Sequence, residues 1–438
     1  LSLVSDELEA ILTEIPGPRS RELAAALAAR ETRGVTFVSR DVPVFWERAQ
    51  GATVTDADGN RYLDLTAAFG VAVAGHSNPA VAQAIAAQAA RLAHGMGDVH
   101  PSEPKVRLLE KLAALAPVDG GKAFLCSSGA ESVEFALKTA LLATGEPNVL
   151  AFAGAYHGLS YGTLEVSGIA KFRKPWQKQL RDATTFVRFP DMREPESGRR
   201  ALETVARALK KDPAIGAVLV EPIQGRAGVI IPPEGFLAGL RRLCDERDTL
   251  LIADEIYTGF GRTGALFACD HEGVRPDIVC LGKALAGGFP ISAAVASGAV
   301  ADAWEPSHGE ALHTSTYLGN PMGCAAALAN LAEIERLDLP RVARERAPAL
   351  GARLEAIRPR SNEIVDLRGR GMLWGVEFRD GAAANAVVVR ALKAGLILLQ
   401  SGLRGETIAL SPPLVISGAQ LERALELFER AVVGKVYA

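Results

Sequence analysis

Residues 249–257 read Thr-Leu-Leu-Ile-Ala-Asp-Glu-Ile-Tyr, and residues 276–290 read Pro-Asp-Ile-Val-Cys-Leu-Gly-Lys-Ala-Leu-Ala-Gly-Gly-Phe-Pro. Each holds a short apolar run, partly β-branched, that ends abruptly in a charged side chain. Runs of this length without polar alternation are how strands buried on both faces read. Four more share the pattern, at 123–126, 148–152, 215–220 and 292–297, and helical periodicity fills several gaps, as over 131–144 and 234–247. The alternation predicts an α/β fold, a mainly parallel sheet with helices on both faces. Ligands of such sheets gather outside the carboxyl ends of the strands, where Asp254 and Lys283 fall.

Outward from this block the rhythm changes. Residues 1–34 are polar and helical in character, with Ala24–Arg30 the best helix former. Two short strands follow within 35–66, joined at Asp58-Gly59-Asn60, a hairpin signal. Pro79–His94 has the spacing of an amphipathic helix. Beyond about 335 come a charged helix (341–357), a strand (370–378), a helix (386–394), strands at 396–399 and 407–410, and a closing helix (419–433). Three segments are expected: 71–334 as a large domain, and 1–70 with 335–438 as a smaller α+β domain.

The chain's 438 residues, 48% hydrophobic and 23% charged, suffice for a core without disulfides. A net charge of -3 and a pI of about 6.3 offer no basic field for nucleic acid. Five scattered cysteines without a C-x-x-C point to a reducing compartment, with neither a disulfide framework nor a metal site. No apolar run approaches the ~20 residues of a membrane span. The first residues are acidic and lack the basic start of a signal peptide, although the chain does not begin with Met and a short leader could have been removed. A soluble cytoplasmic protein is expected.

Four stretches carry chemistry, and each has a plainer reading. Lys283 follows a buried strand and precedes a Gly-rich loop. It is either an exposed strand-end lysine or an amine that burial turns into a nucleophile toward carbonyls. Ser127-Ser-Gly-Ala-Glu131 is either a helix N-cap or a phosphate cradle formed by free N–H groups of Ser128, Gly129 and Ala130. Asp254 is a cap, a metal ligand, or the carboxylate that keeps a pyridine nitrogen protonated. Tyr156, in Ala-Tyr-His-Gly, is a core tyrosine or a ring that stacks on a flat heterocycle. His157 is a base or, more often in such a turn, a satisfied structural residue.

Taken together, these stretches resemble the class III (ornithine and 4-aminobutyrate type) aminotransferases of pyridoxal fold type I. The resemblance rests on SSGAESVEFALK, AYHG, VEPIQG, ADEIYTGFGRTG, PDIVCLGKALAGGFP and HTSTYLGNP, and runs from about residue 36 to 434. It implies a seven-stranded central sheet and pyridoxal 5'-phosphate as cofactor. Lys283 then corresponds to the Schiff-base lysine and proton carrier, Asp254 to the ring-nitrogen partner, Tyr156 and Ile256 to the two ring faces, and Ser128, Gly129 and Ala130 to the phosphate cup. The resemblance also implies that Glu221 lies near the cofactor. Thr316 matches a threonine that reaches the phosphate of the other subunit, which implies a homodimer. The implied reaction carries an amino group from an amino acid or ω-amine to a keto acid, pyruvate or 2-oxoglutarate. A racemase, epimerase or aminomutase on the same scaffold is the alternative. A ligand sensor is disfavoured, because no DNA-binding extension is present.

The chain departs from the family where substrate carboxylates are held. Leu159 and Ala409 stand where arginines are usual, while Arg226 stands where the family often has glutamate. Arg226, and second Arg404, are therefore the candidate carboxylate ligands, or else Arg226 merely pairs with a structural acid. Tyr257 replaces a glutamine that reaches the cofactor's phenolic oxygen in relatives, and Gln224 could serve instead.

Overall fold

The computed structural model describes residues 6–37, 39 and 41–434. Strands β1 (Trp46–Gln50), β2 (Thr53–Asp56) and β3 (Arg61–Asp64) form an antiparallel meander. The β2–β3 turn follows from its residues: Gly59 takes φ +86°, and an Asp56 oxygen accepts the N–H groups of Asp58 and Asn60 at 2.9 and 2.8 Å.

The central sheet comprises β4 (Lys122–Cys126), β5 (Asn148–Ala153), β6 (Thr184–Arg188), β7 (Ile215–Val220), β8 (Leu250–Asp254), β9 (Ile278–Leu281) and β10 (Ser292–Ala296), in the spatial order β4-β10-β9-β8-β7-β5-β6. Only β10 runs against its neighbours. Both faces are buried, as the continuous apolar runs require. Val218, Val220, Leu251 and Ala253 pack into one core with Phe152, Val205 and Leu240, whereas Ala217, Leu219 and Ile252 pack into another with Val133 and Ala136. The helix Gly129–Thr144 covers the second face, and Ser197–Lys211 with Phe236–Asp245 the first.

A second sheet, near the C-terminus, holds β11 (Ile364–Arg370), β12 (Leu373–Phe378), β14 (Leu399–Ser401) and β15 (Thr407–Leu410) in the order β11-β12-β15-β14. Strand β13 (Leu396–Ile397) instead joins β3 in parallel, which ties the two ends of the chain together. The closing helix Gly418–Val433 starts with a capping box of Ser417 and Gln420. The expected strand at 370–378 is the second half of a hairpin that turns at Gly371, with φ +59°. Strands β1, β6 and β11 fall outside the sequence expectation. Each lies at the edge of its sheet, where a strand needs no continuous apolar run.

All five cysteines are free and buried: Cys244 and Cys269 in the first central core, Cys280 in the second, Cys324 in the core beneath the C-terminal segment, and Cys126 at the end of β4. Among the described residues no helix is long and apolar enough to cross a membrane.

Candidate active site

The carboxyl ends of β5, β7 and β8, the turn after β9 and the start of the helix after β4 open on one cavity of about 530 Å³. That volume is in the range of cofactor and substrate sites. Lys283, Asp254, Tyr156, Glu221, Ile256, Gly129, Ala130 and Arg226 all line it.

Lys283 opens a short 3-10 turn immediately beyond β9 and sits at φ +42°. A non-glycine residue in this region is strained by about 1–3 kcal/mol, a cost that clusters at functional sites. Its amine lies 4.0 Å from the centre of the Tyr257 ring. Burial pushes that amine down to about 8, against the opposing pull of Asp254 and Glu221. About one amine in ten is therefore uncharged at pH 7, far more than for an exposed lysine.

Asp254 ends β8 and is 4% exposed. One carboxylate oxygen accepts the Ile256 N–H at 3.1 Å, and the other meets Nδ1 of His157 at 2.7 Å. A carboxylate only accepts, so the facing imidazole nitrogen carries the proton. His157 is the functional neighbour that sequence reasoning left as a structural histidine. The signal was available: a buried acid needs a partner. Glu221, just beyond the intervening strand β7, accepts the Tyr156 N–H on its carboxylate at 3.0 Å. Burial raises this acid to about 7, with His157 opposing and Asp254 adding to the shift. Among the described residues no three of His, Cys, Asp and Glu gather closely enough to hold a metal ion.

Ser128 caps the helix Gly129–Thr144 by accepting the Glu131 N–H, so the capping contact expected from the sequence exists. It leaves Gly129 and Ala130 on the cavity wall. A Cβ on Gly129 would stand 2.8 Å from Ile256 Cδ1, so the helix N-terminus and Ile256 approach this closely only because residue 129 is glycine.

The far side of the cavity differs. Phe69, Leu159, Tyr257, Leu399 and Ala409 make it largely apolar. Tyr257 fits between two glycines, since a Cβ on Gly70 or Gly225 would lie 2.6 or 2.4 Å from its ring, and its hydroxyl bonds to Ser411 Oγ at 3.1 Å. The Gln224 amide donates to the Ala153 carbonyl at 3.0 Å, and the residue does not line the cavity. Arg226 reaches across the mouth, with its guanidinium carbon 5.2 Å from the ring centres of both Tyr156 and Phe172. No ion pair reaches it among the described residues, so the structural-acid reading has no support. Arg404 and Thr316 are exposed and lie off the cavity of their own chain.

A buried carboxylate, an amine of lowered basicity, an aromatic and an aliphatic side chain on the cavity wall and a helix N-terminus with a glycine approach are what a phosphorylated pyridine aldehyde requires, and these residues fit pyridoxal phosphate. The comparisons agree. The family model described as aminotransferase class-III matches residues 37–432. The chain is 41% identical to the acetylornithine aminotransferase of Methanopyrus kandleri over 87% of its own length and 92% of that enzyme. It is 37% identical to the 4-aminobutyrate aminotransferase of Mycobacterium leprae, over 96% and 97% of the two chains. Its fold is similar to that of a pyridoxal-phosphate-bound amine transaminase from an uncultivated Pseudomonas species, with a TM-score of 0.85, 29% identity, and 92% and 98% of the chains covered. None of these is a racemase or an aminomutase. With that cavity and those relatives, the chain belongs to the class III aminotransferases, fold type I enzymes that transaminate with pyridoxal phosphate.

Proposed function

We propose that this cavity moves an amino group from an ω-amine or amino acid to a keto acid, pyruvate or 2-oxoglutarate, with Lys283 as the cofactor's attachment point. The observation that carries the reading is the convergence of Tyr156, Asp254 with Ile256, and Lys283 on one cavity from the ends of β5, β8 and β9. When bound, the cofactor supplies an electron sink for the carbanion formed at the substrate carbon. Asp254, backed by His157, holds a proton on the ring nitrogen. Tyr156 and Ile256 would pack against the cofactor's ring, and the Ser128–Ala130 backbone would hold its phosphate. With the cofactor bound, the Lys283 amine would accept and return the proton at the substrate carbon. Glu221 fixes the backbone that presents Tyr156.

Arg226 takes the substrate carboxylate. Its support is an unpaired guanidinium at the mouth of a cavity that carries Ala409 and Leu159 in place of other cations. Arg404 serves only if its exposed loop moves. Thr316 completes the phosphate site of a second copy. It lies on a surface that exposes Leu312 and Tyr317, 77% and 64% accessible, which suits burial in a homodimer. Five buried thiols suit the cytoplasm. Segments 1–70 and 335–438 act as one unit beside 71–334, as the β3–β13 pairing favours.

The test is the visible spectrum of the cofactor-loaded protein with a panel of amines and amino acids, and no keto acid present. Bleaching of the long-wavelength band by a donor, reversed by pyruvate or 2-oxoglutarate, is expected. Deuterium incorporation at the substrate carbon without bleaching overturns the transamination reading in favour of racemisation.

A further inference from the structure

Two aromatic rings hold the Arg226 guanidinium sideways, but its reach into the cavity is set by its backbone. That backbone is gripped from the C-terminal sheet. The Arg226 carbonyl accepts the Gly402 N–H and the Ser401 hydroxyl, each at 3.1 Å, and the Gly225 carbonyl shares that hydroxyl at 3.1 Å. Two residues on, Arg368 from β11 donates Nε to the carbonyls of Gly228 and Val229 at 3.0 Å, and Nη2 to Gly228 at 2.5 Å. The loop does not adopt this path by preference. Val229 is held at φ +57°, a region that β-branched residues avoid, and Gly228 at φ +111°.

Arg368 is 4% exposed and does not line the cavity. Its remaining nitrogen, Nη1, bonds to Asp366 and Glu377, both at 2.7 Å. Arg193 binds the same two acids at 3.5 and 2.8 Å and is paired with Asp191. Both edges of the guanidinium are therefore used, one on acids and the other on the loop, a division that a lysine cannot reproduce.

We propose that Arg368, with Ser401, is a positioning residue that sets the enzyme's affinity for substrate carboxylates by fixing the Gly225–Val229 backbone beneath Arg226. The inference rests on Arg226 being the carboxylate ligand. It makes carboxylate recognition a property of how the C-terminal sheet seats on the loop after β7.

The test compares a keto acid with a carboxylate-free aldehyde as amino acceptor in the loaded enzyme. Arg368→Lys and Ser401→Ala each raise the ratio of the keto-acid KM to the aldehyde KM about tenfold, as loss of alignment at one charged hydrogen bond implies. In an Arg226→Ala background neither substitution moves the ratio further. A purely structural role changes both KM values and kcat together and leaves the ratio alone. That result, or a ratio that still shifts without Arg226, overturns the proposal. If Arg368→Lys fails to fold, Ser401→Ala carries the test. An unchanged ratio in Arg226→Ala alone removes the carboxylate reading of Arg226 and the clamp with it. A raised ratio there with no effect of Arg368→Lys or Ser401→Ala removes the clamp alone.

Discussion

The two ends of the cavity are built differently. At the cofactor end, each side chain stands at or just beyond the end of a central strand, and its neighbours are buried: Asp254 against His157, Glu221 against the Tyr156 backbone. At the substrate end the wall comes mostly from outside the central sheet: Phe69 in a one-turn helix, Leu159 and Arg226 in loops and the β14–β15 region of the C-terminal sheet, with Tyr257 the one contribution from beyond a central strand. Buried strand ends fix positions to within a rotamer, which suits chemistry common to many donors. Loops and a second sheet can be altered without disturbing that chemistry, which suits specificity. Substitutions at the cofactor end should therefore strike kcat with every substrate, whereas those at the substrate end should strike KM selectively.

The largest effect is expected at Lys283. Lys283→Ala lowers kcat by about four orders of magnitude, the upper range for a proton-transfer group, and abolishes the absorption of the attached cofactor. Cofactor attached to that variant in the same way would break the comparison outright. Next is the acid pair. His157→Phe removes the side-chain hydrogen-bond donor to Asp254, leaving only the Ile256 N–H, and lowers kcat about 10–100-fold with all donors alike, the range seen when a supporting hydrogen bond is lost. A change confined to one donor would place His157 in the specificity half. At the far end, Arg226→Ala raises the KM for keto acids about 10-fold or more, with the larger part of the loss in KM, measured by steady-state kinetics on two acceptors.

A pH experiment sharpens the same division. The Lys283 amine is nucleophilic only when unprotonated, and its value is lowered to about 8. Attachment of cofactor to apoprotein should thus accelerate about tenfold per pH unit up to roughly pH 8 and then level off. A rise that continues to about 10, where an exposed lysine titrates, would show that burial does not set its basicity. The smallest effect is a steric one. Gly225→Ala puts a methyl group into the Tyr257 ring and should cost about 1–3 kcal/mol, read as a fall of several degrees in Tm.

The cofactor end was the legible one. Buried strands write themselves as apolar runs, and the acid or amine that interrupts a run at its end is conspicuous, as Asp254 and Lys283 are. His157 was not legible, because its partner lies 97 residues away and two strands over, beyond β7, and only the three-dimensional order β8-β7-β5 brings them together. Edge strand β6, Thr-Thr-Phe-Val-Arg, carries no continuous apolar signal, and only Val187 of its five residues is fully buried. At the substrate end, the sequence exposed the missing arginines but not the grip on the Arg226 backbone. Carbonyl oxygens have no letter in a sequence, and Arg368 lies 140 residues from the carbonyl of Gly228 that it holds.

The buried thiols give this molecule its own set of chemical clocks. Cys244 and Cys269 sit in one core, Cys280 in another and Cys324 in a third. A thiol reagent reaches each only when its own core opens. The order in which these four sulfurs are modified, read by mass spectrometry during slow denaturation, therefore records which layer of the protein parts first.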